Sequence, residues 1–239
     1  MPAPTPAAVA TQMAAEASTT SHHGRPGLPA HRKAAWADRA AAAAGPGEVA
    51  TWAADFIAHP DPTVRQVGLL LLARPAVDAR EAERLAGPLA GDPDWEVREW
   101  VVEPLVAHAL GPASDWLLRW AEGGGPERRA AVVAARQLVR QGGMDCAAAL
   151  KVASLAVDDP DRYVAASVGT FLLADGIYVR CPDAFWGWVE TLADRPAPLG
   201  TPRWRHLAAV ARRHPAARER LRPLLATQDP HYGRGPTHR

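Results

Sequence analysis

Strict alternation of apolar and polar residues is almost absent from this chain. Apolar positions instead recur at helical spacing in segments of roughly 10–18 residues, separated by Gly, Pro and Asp. The pattern predicts an all-α protein. Its most marked stretch runs from Asp92 to Leu105, where Asp92 or Asp94 can cap a helix and Pro93 is tolerated at its start. On that helix Val97, Val101, Pro104 and Leu105 form one apolar stripe, which reads as core. Trp95, Glu99, Val102 and Val106 form another, and Glu99 interrupts it. A carboxylate in an apolar row beside an indole loses hydration unless it is paired or has a chemical task.

The same grammar recurs. Asp61-Pro62-Thr63-Val64-Arg65, Asp92-Pro93-Asp94-Trp95-Glu96-Val97-Arg98, Pro126-Glu127-Arg128-Arg129, Asp159-Pro160-Asp161-Arg162-Tyr163-Val164 and Thr201-Pro202-Arg203-Trp204-Arg205 each precede an apolar segment. Their starts lie about 30–40 residues apart, the period of a helix pair joined by a short turn. One such pair cannot bury its apolar face alone, whereas stacked pairs share a core. The expected architecture is therefore an α-solenoid of about 5–6 HEAT-like helix-pair repeats. Residues 1–28, rich in Ala, Pro, Thr and Ser, read as a disordered N-terminal arm. The repeat domain is expected over 29–228, and residues 229–239 as a disordered tail.

Composition adds limits. Arginine outnumbers lysine 25 to 2, which fits a GC-rich coding bias as well as any binding role, and the net charge is only +1. The distribution is less even. Ala76–Glu122 holds 10 acids against 4 arginines, while Thr201–Arg239 holds 9 arginines against 2 acids. A basic C-terminal third suits a polyanion, and equally a solvated arginine face. Cys146 and Cys181 are far apart in sequence with no histidine cluster, which argues against a disulfide framework or zinc site and for a reducing cytoplasm. His22-His23 reads as incidental, and His59, His108, His206 and His214 as isolated. No apolar run reaches the roughly 20 residues of a membrane span, and no signal pattern opens the chain.

The order Trp95-Glu-Val-Arg-Glu99-Trp-x-x-Glu-Pro-Leu, then Arg128-Arg129-Ala-Ala-Val-Val, then Tyr163-Val-x-x-Ser-Val-Gly169-x-Phe171-Leu-Leu resembles the HEAT-like-repeat DNA glycosylases, the AlkD/AlkC superfamily. Asp175-Gly176, Pro182, the Trp186/Trp188 helix and Arg203-Trp204-Arg205 extend the likeness over roughly residues 45–225. The resemblance implies a concave face that cradles duplex DNA carrying alkylated bases, in a cytoplasmic, monomeric protein without cofactor or metal. It implies excision of cationic N3- or N7-alkylated purines, for general repair or for self-protection against a DNA-alkylating natural product.

Carried over residue by residue, the resemblance makes Trp95 the aromatic partner and Glu99 the catalytic carboxylate. Arg65, Arg98, Arg128, Arg129, Arg162, Arg203, Trp204 and Arg205 become candidate DNA contacts. Trp100, Thr170, Phe171, Trp186 and Trp188 become candidates near the lesion. Thr170 stands where the pattern has an aromatic, and Ala165 where it usually has a basic residue. The chemistry is coherent, because an electron-rich indole attracts a cation. A carboxylate beside it can stabilise an oxocarbenium-like sugar and position water. Lys151 is the single lysine in residues 45–225, so a β-lyase step gains no support.

Other readings stand beside these. Glu99 can be a structural partner of Arg98, Arg128 or Arg129. The repeat-start arginines can pair with aspartates of neighbouring turns, Trp100 can be core, and Trp116 and Trp120 read as packing. The alternatives to an enzyme are a catalytically silent binder of DNA structure and a HEAT scaffold for a protein partner.

Overall fold

The computed structural model describes residues 4–45, 47–108, 114–194 and 202–228. The expected tail, 229–239, and Thr201 of the last repeat start lie outside them. The described residues are predominantly helical, as the spacing predicts. They divide into two compact units, Met1–Trp116 and Leu117–Arg239.

The first unit opens with helix α1 (Pro6–Thr19), a two-stranded hairpin of β1 (Ser21–His22) and β2 (Arg25–Pro26), and α2 (Ala30–Ala44). Then come α3 (Val49–Ile57), α4 (Pro62–Leu72), α5 (Ala79–Ala86), a 3-10 turn (Gly87–Gly91), α6 (Trp95–Trp100) and α7 (Val102–His108). Helix α8 (Ser114–Glu122) carries the chain across the boundary between units. The second unit continues with α9 (Gly125–Gln141), α10 (Cys146–Ala156) and α11 (Arg162–Ala166), which runs into a π-helical stretch (Ser167–Ile177). It ends with α12 (Tyr178–Arg180), α13 (Pro182–Ala193), α14 (Pro202–Arg213) and α15 (Pro215–Gln228).

The recurring Asp turns are helix caps. Asp61 accepts from the N–H groups of Thr63 and Val64, Asp94 from those of Glu96 and Val97, and Asp161 from those of Tyr163 and Val164. A second layer sits two residues upstream: Asp92 accepts from Asp94 N at 2.8 Å and Asp159 from Asp161 N at 2.7 Å. The repeat arginines complete the motif. Arg65 Nη1 donates to the carbonyls of His59 and Pro60, and Arg98 Nη1 to those of Asp92 and Pro93.

Helices that follow these caps pack on one another within each unit: α4 on α6 and α7 in the first, the π-helical stretch on α9 and α14 in the second. The apolar stripe of α6–α7 behaves as read, since Val97, Val101 and Leu105 are fully buried. Two glycines mark the closest approaches. A Cβ on Gly68 would meet Ile57 and Phe56 of α3 at 3.0–3.1 Å, and one on Gly169 would meet the His206 backbone at 3.0 Å. Trp116 and Trp120 are buried, as expected for packing residues.

Two expectations need correcting. Residues 4–28 are not a disordered arm. Thr5 caps α1, whose Val9, Ala10, Met13 and Ala17 are buried against α2, α3 and α4, and Glu16 accepts from Trp36 Nε1 at 3.2 Å. A row at positions 9, 13 and 17 is a helical face, concealed in the sequence by the alanines that surround it. Cys146 and Cys181, in turn, are joined in a disulfide with Cα atoms 6.3 Å apart. Helix pairing brings the starts of α10 and α13 together, which the sequence separation of 35 gave no sign of. The compartment inferred from unpaired cysteines loses its support. Among the described residues no helix is long and apolar enough to cross a membrane.

Candidate functional site

Helix α6 is six residues long, and Trp95 and Glu99 lie one helical turn apart on it. Trp95 is 50% exposed, an unusual state for an indole in a helical protein. Glu99 is half-buried. Burial pushes the carboxyl of Glu103, a further turn along the chain, up from the ordinary glutamate value. Trp100 is half-buried, with Lys33 Nζ 4.9 Å from its ring centroid.

Around Trp95 the N-terminal segment builds a wall that sequence reading missed. Arg25, from β2, places its guanidinium 5.4 Å from the Trp95 centroid. The same group donates to both oxygens of Asp94, at 3.1 and 3.2 Å, and lies 3.1 Å from Glu96. Lys33 is 1% exposed and sits 3.6 Å from Glu96, which also accepts from Gln66 at 3.4 Å. Burial lowers the Lys33 pKa against the pull of Glu96. Burial raises that of Glu96, but Lys33, Arg25 and Gln66 outweigh it and hold the carboxyl below its usual range. The buried carboxylate of this helix is thus Glu96, not Glu99. Of its partners, Arg25 comes from the segment read as disordered, while Lys33 and Gln66 reach it through helix packing that no local pattern encodes.

The repeat-start arginines prove largely structural. Arg65 donates to Asp92 of the next turn at 2.9 and 3.0 Å and has no guanidinium nitrogen left over for DNA. Arg128 lies 2.5 Å from Asp159 in the corresponding place of the second unit. Arg203 is buried and doubly bonded to Asp158, which raises its pKa, and Trp204 beside it is buried. These two are core, not DNA contacts, because α14 turns its first residues inward. Arg98 is committed to loop carbonyls, and Arg129 is half-buried.

The aromatic candidates separate in the same way. Trp188 is buried and donates to Ser154 at 2.8 Å, so it is a packing residue. Trp186 stacks edge-on with Tyr178 and Phe185 under the Arg220 guanidinium, 4.1 Å away. Phe171 is exposed, with Arg136 at 5.5 Å.

Thr170 lies elsewhere, in a pocket of about 290 Å³ within the second unit. One wall is Arg162, Ala165, Ala166, Gly169 and Thr170, a single helical face with small residues at its centre. The other is Arg205, His206, Ala209 and Arg212 of α14. Three exposed arginines therefore surround a concavity whose one carboxylate, Asp159, is already beside Arg128. His206 Nε2 is buried without a hydrogen-bond partner, and burial pulls the imidazole pKa down to about 4, so it faces the pocket neutral. Of the predicted DNA contacts, Arg162 and Arg205 come together here; Arg212 and His206 were missed. The spacing of Arg205 and Arg212, two helical turns apart, was the available signal. A ring of arginines about a small-residue floor is suited to an oxyanion such as phosphate. No family model matches this chain, and neither a curated protein nor a solved structure matches it.

Proposed function

We propose that the chain is an α-solenoid of HEAT-like helix pairs that binds duplex DNA and hydrolyses the N-glycosidic bond of cationic N3- or N7-alkylated purines. The exposure of Trp95, one turn before Glu99, carries this reading. Its indole already lies within cation–π distance of a planar cation, the Arg25 guanidinium. An alkylpurinium is also a planar cation, and the attraction is worth about 0.5–2 kcal/mol depending on desolvation. Glu99 stabilises the positive charge that grows on the sugar as the bond lengthens, and orients the water that attacks it. The arginine pocket of the second unit is suited to a DNA phosphate.

The test is release of free base from duplexes carrying defined N3- and N7-alkylpurines, with products identified by mass. Glu99→Gln is expected to lower the excision rate at least a hundredfold with DNA affinity unchanged. Full activity in that variant would remove Glu99 from the mechanism. A second reading, a catalytically silent DNA binder, is favoured by the pocket at Arg162, Arg205 and Arg212, which needs no carboxylate chemistry. It predicts salt-sensitive duplex binding with no base released by the wild-type protein.

A further inference from the structure

The hairpin beside Trp95 carries two imidazoles that base excision does not use. At its turn His23 and Gly24 both have positive φ, 52° and 77°. Two successive left-handed residues make the tight turn that matches strand twist. For a histidine this backbone region is sparsely populated, and it fixes where the side chain points. Consecutive residues of an extended strand face opposite ways. Here the His22 and His23 rings instead lie 4.0 Å apart between centroids. Glu96 of α6 completes a trio in which one ligand atom from each residue lies within 4.8 Å of the others.

The two oxygens of this carboxylate are not equally engaged. Glu96 Oε1 is buried and receives no directed hydrogen bond, although Arg25 Nη2 stands 3.1 Å away. Arg25 does not depend on that contact, since it holds both oxygens of Asp94. Lys33 and Gln66 engage the other oxygen, Oε2. Oε1 therefore keeps a lone pair for a further partner, while the charges of Arg25 and Lys33 are balanced by Asp94 and Glu96. A metal entering here meets a locally neutral site, and its affinity rests on the two imidazoles and one oxygen.

Two imidazoles and a carboxylate are a zinc donor set that leaves a coordination position open. At zinc–ligand distances of about 2.0–2.1 Å, tetrahedral donors stand about 3.4 Å apart. The trio must contract by up to about 1.4 Å, which rotation of the exposed His23 side chain allows. We propose that His22, His23 and Glu96 form a zinc-binding site that clips the N-terminal hairpin to the first turn of α6. The site does not depend on the excision reading and survives its failure.

The experiment is titration of the full chain with Zn²⁺ against a chromophoric chelator, paired with Co²⁺ spectra. Wild-type protein is expected to take up one equivalent more than a His22→Gln/His23→Gln double variant. That equivalent should give the intense visible bands of four-coordinate cobalt and raise Tm. His23→Gln alone should weaken it at least tenfold, and so should Glu96→Gln. Because Glu96→Gln removes a partner of Lys33, its fold is checked by circular dichroism. His23 lies at an exposed turn and its single variant stands without that check, whereas His22 is a half-buried residue of β1, so the double variant is checked in the same way. Equal zinc stoichiometry and affinity in wild type and double variant would overturn the site, as would undiminished affinity in a folded Glu96→Gln protein.

Discussion

Two ion pairs occupy equivalent places in the two units and differ in how completely they are made. Arg65 meets Asp92 through two directed hydrogen bonds, at 2.9 and 3.0 Å, and spends its remaining nitrogen on two carbonyls. Arg128 reaches Asp159 at 2.5 Å, but neither contacting atom makes a directed hydrogen bond. The first arginine is mostly shielded and the second about twice as exposed, with side-chain exposures of 13% and 27%. The contrast extends outward. Around Trp95, Arg25 and Lys33 are matched by Asp94 and Glu96, whereas the pocket of the second unit gathers Arg162, Arg205 and Arg212 around a single aspartate. Arg65, Arg25 and Lys33 of the first unit hold the fold together; Arg162, Arg205 and Arg212 of the second unit's pocket are exposed.

The largest expected effect tests the first half of that contrast. Removing one partner of a buried, hydrogen-bonded pair leaves the other charge stranded, at a cost of about 3–5 kcal/mol. Asp92→Ala should approach that range, because it strands Arg65 and also removes the acceptor for the Asp94 N–H. Asp159→Ala likewise removes the acceptor for the Asp161 N–H, but it strands a more exposed arginine and should cost about half as much. Urea denaturation of the two variants checks the ratio. Equal losses would mean that exposure of the arginine does not set the difference.

Those pairs also explain what was legible in the sequence. The Asp-x-Asp and Asp-Pro turns were readable because capping is local: donors and acceptor lie within three residues. The burial of Val97, Val101 and Leu105 was readable for a similar reason, since a helical period repeats within one segment. Trp95 and Glu99 stand out by the same rule, as an interruption of a stripe. The partners of Glu96 and the Cys146–Cys181 bond were not readable. They join segments whose proximity depends on how helices pack, and no local pattern encodes that. Arg203 shows the converse error. A repeat-start arginine looks like a surface residue until α14 is seen to turn it onto Asp158.

A smaller effect follows from His206. Its folded pKa of about 4 lies below the unfolded value of about 6.5, because burial disfavours the imidazolium and Arg205 repels it. Arg162 lies on the opposite wall of the pocket and Arg212 on the same wall, while Asp158 and the Val157 backbone oppose the shift. Between those two values the unfolded chain binds a proton that the folded chain refuses. The stabilisation is therefore complete above about pH 6.5 and is lost progressively as the pH falls towards about 4. From about pH 7 to about pH 5 the loss should be about 2 kcal/mol. The readout is the difference between wild type and His206→Gln, which removes the background from carboxylates. A His206→Gln protein with the same pH slope would place the imidazole in a far more hydrated setting than the wall of this pocket.

The smallest effect bears on the second half of the contrast, and it is seen in affinity rather than stability. Arg205 and Arg212 are exposed on one face of α14, so replacing either with glutamine should change stability by less than about 0.5 kcal/mol. If the pocket neutralises DNA phosphates, each change should weaken duplex binding roughly tenfold. Each should also reduce the slope of log affinity against log salt by about 1, because one counterion fewer is released. Arg65→Gln is the matched control from the first unit. Each of its guanidinium nitrogens already bonds to Asp92 or to a carbonyl, so the change should lower stability and leave the salt slope where it was, measured where the variant remains folded. A shallower slope in Arg65→Gln, or an unchanged one in Arg205→Gln and Arg212→Gln, would move the phosphate contacts from the pocket to the repeat turns. The two outcomes are distinguishable because salt dependence counts ions released, while a structural pair contributes the same stability whether or not DNA is present.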